Sequence, residues 1–318
     1  MALRSYALSL ASLLLVVGAC ASSGAPTKER PLTPLAELPE AYGEAWRAYR
    51  TRDPEWAVLR EQALDDPELA QFLVDNFLRD LVNAYDRSRL AAAGRADGPF
   101  ERARAELITF QEHSVPVLVE LVRVGDGVVS FLARDLLVEI GAPSTATALS
   151  LFDDPDERVR QRAAELFVEL PGPLRASQGD EAAVLARLKA ELEADPSWVV
   201  RALCARALGR RGAGLADPRP ARIGLLGALD DEDGKVRETA AEALLVLGDP
   251  RAVPGLIEAF EHGLEQGDLA TMRAARSSLR GLCGVERKTP DDWRRFWDEN
   301  RRDLIEAAAA RRRGSGDG

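Results

Sequence analysis

The sequence predicts an all-α protein built as a solenoid of helical hairpins. Among its 318 residues, Ala, Leu, Arg and Glu are abundant, and segments that alternate like strands are almost absent. A phrase of Asp, then Val-Arg, then small residues and Leu recurs along the chain. Self-similarity at roughly 30 to 45 residues is typical of stacked helical repeats, in which each unit buries its apolar side against its neighbours.

The first residues are predicted to be an export signal spanning residues 1–19. Arg4 supplies a short positive region, and Tyr6–Val17 is an apolar run too short to span a membrane. The sequence Val17-Gly-Ala-Cys20 that follows resembles the lipobox of bacterial lipoproteins, in which the Cys thiol is acylated before cleavage. This resemblance implies a lipidated Cys20. The alternative is an ordinary secretory signal with a coincidental Cys.

Residues 20–34 are rich in small residues and Pro, which predicts a flexible tether. Several acyl chains on one Cys anchor a protein stably, so the membrane is an expected partner through Cys20. The residue after Cys20 is Ala rather than Asp. In proteobacterial lipoproteins this favours the outer membrane, so the resemblance implies a bacterial envelope location on its periplasmic face.

Residues 35–112 are predicted to form a helical cap that shields the first repeat. Tyr42, Trp46 and Tyr49 fall on one helix face, and a second long apolar stripe starts after Pro67. A turn at Gly98 precedes a third helix. Aromatic stripes at this spacing are usually core, and a ligand-binding box is the alternative reading.

Residues 113–286 are predicted to be the repeat array. Corresponding positions in the second helices are spaced by 30, 41, 36 and 35 residues, at Val129, Val159, Val200, Val236 and Thr271. Asp-Pro dipeptides, suited to helix starts, occur six times, and Gly141, Gly209 and Gly248 suit helix ends. These intervals fit two helices and two turns each.

The pattern Pro-x-Leu in the first helix and Asp-x-x-Val-Arg-x-x-Ala-Ala-x-x-Leu in the second resembles the HEAT repeat, particularly the short bacterial type also found in phycobilisome-lyase-like proteins. The resemblance covers about Ser114 to Gly284. It implies a right-handed α-solenoid of about five hairpins. It also implies a structural ladder between Arg and Asp side chains of neighbouring units, formed by Asp156, Arg160, Asp195, Arg201, Asp233 and Arg237. The alternative role for these Arg residues is a ligand clamp.

Residues 287–310 are predicted to form a C-terminal capping helix, with Trp293, Phe296 and Trp297 at i, i+3 and i+4. They resemble a closing segment seen after HEAT arrays in bacterial envelope proteins. These aromatics are read either as a lid on the last repeat or as a partner-docking patch. Residues 311–318 are predicted to be a disordered tail, whose Arg run is a solvated helix end or a contact for anionic lipid or an acidic partner.

The chain shows no pattern for catalysis. Its net charge is −10, which disfavours nucleic-acid binding, and no nucleotide, hydrolase or zinc motif is present. Acidic clusters before helices suit the helix dipole better than a calcium loop. We therefore expect no catalytic residue, metal, cofactor or small-molecule substrate, and two buried thiols, Cys204 and Cys283.

The expected function is that of a non-catalytic, lipid-anchored envelope protein. Its HEAT-repeat surface would act as an adaptor or assembly scaffold for an unidentified protein partner. The alternatives are a structural spacer without a dedicated partner and, because some proteins with this repeat have that activity, a bilin lyase or isomerase.

Overall fold

The computed structural model describes residues 39–90, 98–125, 127–170 and 178–314. The predicted signal peptide 1–19, Cys20, the tether 20–34 and the last four residues of the predicted tail lie outside these ranges. Within them, the regular secondary structure is entirely helical. The α-helices are α1 Glu40–Thr51, α2 Trp56–Leu64, α3 Pro67–Leu90, α4 Pro99–Thr109, α5 Gln111–Val124, α6 Gly127–Ile140, α7 Ala142–Ala148, α8 Glu157–Glu169, α9 Gln178–Ala194, α10 Trp198–Ala213, α11 Arg219–Gly227, α12 Gly234–Leu247, α13 Val253–Gln266, α14 Leu269–Cys283 and α15 Pro290–Gly314.

The described part of the chain divides into two compact units, with the division between Thr147 and Ala148. The first unit contains α1 to α6, and the second contains α8 to α15. The division falls inside the predicted array 113–286 and not at its predicted start. The sequence period indicates which residues form hairpins. It does not indicate where the chain divides into compact units.

The first unit has an aromatic core built by α1, α3 and α4. Tyr49, Phe77 and Phe110 are buried, and the rings of Tyr49 and Phe77 lie 4.8 Å apart between centroids. Burial raises the pKa of Tyr49 to about 12. The aromatic stripes of this region therefore lie in the core.

Five helical hairpins follow the predicted spacing, and the all-α prediction is confirmed. They pair α5 with α6, the short 3-10 helix Leu149–Asp153 with α8, α9 with α10, α11 with α12 and α13 with α14. The corresponding position is buried in every second helix, at Val129, Val159, Val200, Val236 and Thr271. In the second unit, α8, α10, α12 and α14 pack successively against one another.

Local signals explain most helix boundaries. Asp156 and Asp233 cap α8 and α12 by accepting a hydrogen bond from the second backbone N–H after them. Gly248 ends α12 with φ +67°, a left-handed conformation that favours glycine. Gly209, predicted as a helix end, instead lies inside α10. A Cβ there would meet the Ala243 carbonyl oxygen at 2.7 Å, so this glycine permits close approach of α10 and α12.

Helix α15 packs against α13 and continues to Gly314. The predicted boundary at residue 310 is therefore four residues short. Ala308 is buried, and Arg312 Nη2 donates to the Leu247 carbonyl oxygen at 3.1 Å, so contacts with the array stabilise this final turn. No helix in the described ranges combines the length and hydropathy that crossing a bilayer requires.

Candidate functional site

Three Arg side chains of the second unit tie the start of one second helix to that of the next. Arg160 donates through Nε to Asp195 at 2.7 Å, and Arg201 donates through Nε and Nη2 to Asp231 at 2.9 and 2.8 Å. Arg237 donates through Nη2 to Asp268 at 2.6 Å. Charge-assisted, mostly two-armed hydrogen bonds of this kind are stronger than neutral ones.

Each of these Arg side chains also holds the turn of its own repeat. Nη1 of Arg160 donates to the Asp154 carbonyl oxygen at 3.1 Å, and Nη1 of Arg201 donates to the Asp195 carbonyl oxygen at 3.0 Å. Nη1 of Arg237 donates likewise to the Asp231 carbonyl oxygen. Most of the N–H donors of these guanidinium groups are thus engaged inside the array, which favours the structural role over the ligand clamp.

Two of the six expected ladder residues have a different role. Asp156 and Asp233 cap their own helices, whereas the carboxylates that receive Arg201 and Arg237 are Asp231 and Asp268. The reason for this difference is the spacing between each Asp and the Arg that follows it. Asp195 lies six residues before Arg201, as Asp231 does before Arg237, while Asp156 and Asp233 lie only four before theirs and face their own backbone.

A sequence signal could have identified Asp231, because an Asp stands six residues before each ladder Arg. Asp268 departs from that register and combines both roles. Its Oδ1 accepts the Thr271 backbone N–H at 3.1 Å, and its Oδ2 accepts the Thr271 hydroxyl at 2.6 Å and Arg237.

A buried ion pair that sequence reasoning missed lies between α9 and α10. Arg211 donates to both carboxylate oxygens of Glu181, at 2.7 and 2.6 Å, and the two side chains are only 3% and 4% exposed. Arg211 also lies over the ring of Phe167, 5.8 Å from its centroid. The neighbouring Arg210 is exposed, and no local pattern distinguishes the two.

The exposed side chains of α10, α12 and α14 form a surface that we name the second-helix face. Trp198 at the start of α10 is 46% exposed, and Leu269 at the start of α14 is 54% exposed. Exposed charges on this face are Arg206 and Arg210 on α10, Lys235 and Glu242 on α12, and Arg273, Arg276 and Arg280 on α14. Trp198 was not among the site residues predicted from sequence, although the same repeat position holds Glu157, Gly234 and Leu269 in other repeats and a Trp there is a visible departure.

The C-terminal aromatic residues are mainly a lid. Trp293 is fully buried, so it cannot serve as the docking anchor that we considered. Phe296 and Trp297 are half-buried, and Arg287 lies over the Phe296 ring at 4.9 Å from its centroid. An i, i+3, i+4 pattern shows that residues share a helix face, and it does not show which of them is most buried.

Cys204 and Cys283 are free and buried, as we expected. Burial raises the pKa of both thiols, that of Cys283 to about 11, which keeps them protonated and unreactive at neutral pH. Among the residues that the structure describes, no group of three or more His, Cys, Asp or Glu side chains is arranged to hold a metal ion.

A family model matches part of the array. The family model described as HEAT repeats matches residues 185–279. Two crystal structures of engineered proteins are similar at 15% identity: one with TM-score 0.36, covering 74% of this chain and 97% of its own, and one with TM-score 0.40, covering 87% and 82%. No curated protein matches the chain.

The matched segment starts within α9 and ends within α14, so it holds the rungs from Arg201 to Asp231 and from Arg237 to Asp268. This confirms the HEAT resemblance where the repeated phrase is clearest. Residues 185–279 therefore match the HEAT-repeat family, and the helical hairpins of this range form an α-solenoid array.

Proposed function

We propose that this protein is a non-catalytic adaptor, anchored by lipid on Cys20 in a bacterial envelope, and that its second-helix face binds another protein. HEAT-repeat arrays are extended structures whose stacked helices present such surfaces. The observation that carries the proposal is the exposure of Trp198 on this face.

An indole that is nearly half exposed leaves apolar surface in water at an energetic cost. Trp and Arg are the residues most often found as energetic anchors of protein interfaces. The equivalent position of the next repeat is Gly234, which adds no side chain beside the indole. Leu269 holds that position in the following repeat and is 54% exposed, so two of these three helix starts carry an exposed apolar side chain.

The exposed charges of this face are mostly basic. Arg206 and Arg210 are exposed on α10, and Arg273, Arg276 and Arg280 are exposed on α14. Helix α12 between them exposes Glu242 and Lys235, and Lys235 pairs with the half-buried Glu238. A mostly basic face suits a partner with acidic side chains, because complementary charges orient association. This uneven charge favours the adaptor over the spacer.

Crosslinking in cells tests the adaptor role with a matched pair of variants. Trp198→Ala should sharply reduce recovery of a specific crosslinked partner. Ile223→Ala should leave recovery unchanged, because Ile223 is an equally exposed apolar residue on the first helix α11. Loss of crosslinking in both variants, or no specific partner with the wild-type chain, would count for the spacer.

The anchor is supported by the lipobox-like sequence before Cys20. Cells grown with labelled palmitate should label the wild-type chain and the Cys204→Ser variant, and leave the Cys20→Ser variant unlabelled. Continued labelling of Cys20→Ser would refute the anchor without bearing on the adaptor role.

A further inference from the structure

The last second helix, α14, has an exposed flank at a place where the inner second helices are packed. In the inner repeats, Gly209 of α10 approaches Ala243 of α12, and Leu245 of α12 approaches Gly281 of α14. In the part of the chain that the structure describes, no further second helix follows α14, and α15 packs against the first helix α13. We name this exposed side of α14 the open flank.

The residues on this flank change character in α14. Two positions of each second helix lie on it, five and nine residues after the corresponding buried position. In α14 they are Arg276 and Arg280, whose side chains are 45% and 62% exposed. In the inner helices they are small or aliphatic and are buried or half-buried, namely Ala205 and Gly209 in α10 and Ala241 and Leu245 in α12. Side chains that pack one helix on the next are therefore replaced by cations where the array ends.

The open flank is basic in a chain whose net charge is −10. Between Leu269 and Lys288 the sequence has five cationic side chains and one carboxylate, Glu286. The cations are Arg273, Arg276, Arg280, Arg287 and Lys288. The neighbouring α12 adds Lys235, Glu238 and Glu242, and cations remain in excess when these are included.

Glu286 shows that the two Arg side chains can share a carboxylate. Arg276 donates to Glu286 Oε1 through Nε and Nη2, at 2.9 and 2.6 Å, and Arg280 Nη1 lies 3.8 Å from Oε2. Two guanidinium groups carry about ten N–H donors, so this carboxylate uses a small part of them. The Glu286 side chain is 44% exposed, and water therefore competes for the same contacts.

We propose that the open flank binds an acidic α-helix of the partner protein, which lies beside α14 where a further second helix would pack. The inference rests on the proposed adaptor role and names the element that the second-helix face receives. A helix is favoured because the same flank of α10 and of α12 packs a helix. Carboxylates one turn apart on that helix match Arg276 and Arg280, which are themselves four residues apart. Ser277 and Gly281 are exposed and small, so they allow close approach.

The probe is a fluorescein-labelled, hydrocarbon-stapled, Ala-rich helix of about 16 residues, with Glu at i, i+4 and i+7 on one face. Three control peptides have the same length. The first has Gln in place of Glu, and the second distributes the same Glu residues around the helix. The third is unstapled and has a central Pro, which prevents the helix without changing the charge. Fluorescence anisotropy with the purified full chain at about 0.15 M salt gives the affinities, and a photo-crosslinker on the probe locates its contact by mass spectrometry.

The one-faced acidic helix should bind more tightly than all three controls and should crosslink to α14. The double substitution Arg276→Gln with Arg280→Gln should weaken its binding roughly tenfold, or about 1.4 kcal/mol. Arg206→Gln with Arg210→Gln removes the same charge from exposed positions of α10 and should change binding less than about twofold. Thermal unfolding should show that both double variants remain folded, because all four side chains are exposed.

Replacing Glu286 should have the opposite effect. Glu286→Gln frees Arg276 and Arg280 from their internal carboxylate, so the acidic helix should bind about threefold more tightly. Glu258→Gln makes the same change of charge at an exposed position of the first helix α13 and should leave the affinity unchanged.

Equal binding of any control peptide, unchanged binding after loss of Arg276 and Arg280, or equal gains in Glu286→Gln and Glu258→Gln would overturn the inference. Arg276 and Arg280 would then only prevent a further helix from stacking on α14. Crosslinking in cells separates this failure from failure of the adaptor role. A partner lost in Trp198→Ala and retained without Arg276 and Arg280 would overturn the inference alone, whereas no specific partner of the wild-type chain would refute the adaptor.

Discussion

Arg201 and Asp231 join two neighbouring repeats through a two-armed ion pair. The Arg201 Nε and Nη2 groups donate to the two Asp231 oxygens at 2.9 and 2.8 Å. Their side chains are only 7% and 11% exposed. Arg201 also donates to the Asp195 carbonyl oxygen of its own turn. One side chain therefore holds both the turn of its own repeat and the turn of the next repeat.

Replacing Arg201 with Gln should lower the free energy of unfolding by about 2 to 3 kcal/mol, because it leaves a largely buried carboxylate without its cation. Arg206→Gln, on the exposed side of the same helix, should change it by less than about 0.5 kcal/mol. Urea unfolding measures both values. Equal effects of the two substitutions would contradict a structural role for the rung.

The register of the ladder can be tested by a double-mutant cycle. Arg201→Gln and Asp231→Asn should be coupled by about 1 to 3 kcal/mol, since they remove the same interaction. Arg201→Gln and Asp233→Ala should be nearly additive, and Asp233→Ala alone should cost about 1 kcal/mol as a lost helix cap. Coupling of Arg201 to Asp233 in place of Asp231 would instead support the sequence-based expectation that Asp233 is a ladder residue.

Asp268 should make stability depend on acidic pH. Burial raises its pKa, but the Thr271 hydroxyl, Arg237 and the Thr271 backbone N–H outweigh burial and lower it from 3.8 to about 2. Because the folded-state pKa is depressed, the stabilisation is fully present above about pH 4 and is lost as the pH falls towards 2.

The Asp268→Asn variant should therefore be less stable than wild type by about 2 kcal/mol at neutral pH, with the difference shrinking as the pH approaches 2. Asp303→Asn, at an exposed position of α15, should stay close to wild type throughout. Urea unfolding at a series of pH values gives both curves. A difference for Asp268→Asn that does not change with pH would refute the assignment.

Trp293 should behave as a core residue. Trp293→Ala should cost about 3 to 5 kcal/mol of stability, the usual effect of removing a large buried side chain. Trp297→Ala should cost clearly less, because Trp297 is only half-buried. Thermal unfolding compares the two variants. A small loss of stability for Trp293→Ala would contradict the assignment of Trp293 to the core.

The helices and their hairpin order could be predicted from sequence because their signals are local. Asp156 and Asp233 cap helices by contacts two residues away, and Gly248 ends one by its own backbone conformation. Gly209 misled the prediction, since a glycine inside a helix and one at its end look alike until the opposing Ala243 is known.

The site was harder to predict because its pairs join distant parts of the chain. Arg211 and Glu181 are 30 residues apart, and nothing near Arg211 marks it as the inward neighbour of Arg210. The exposure of Trp198 depends on what covers it in three dimensions. Asp231, by contrast, was available from the constant spacing of six residues, which the sequence analysis did not use for the ladder.

The rungs also give the array a direction. Each Arg reaches from its own repeat to the carboxylate of the repeat that follows, and never backwards among the three described rungs. If the last hairpin detaches, Arg237 keeps the Asp231 carbonyl oxygen of its own turn. If the hairpin holding Arg160 detaches, Asp195 keeps the Ser197 backbone N–H. When an end hairpin detaches, each charged group that loses its rung therefore keeps a hydrogen bond within its own repeat. When a middle repeat detaches, the rungs on both of its sides break.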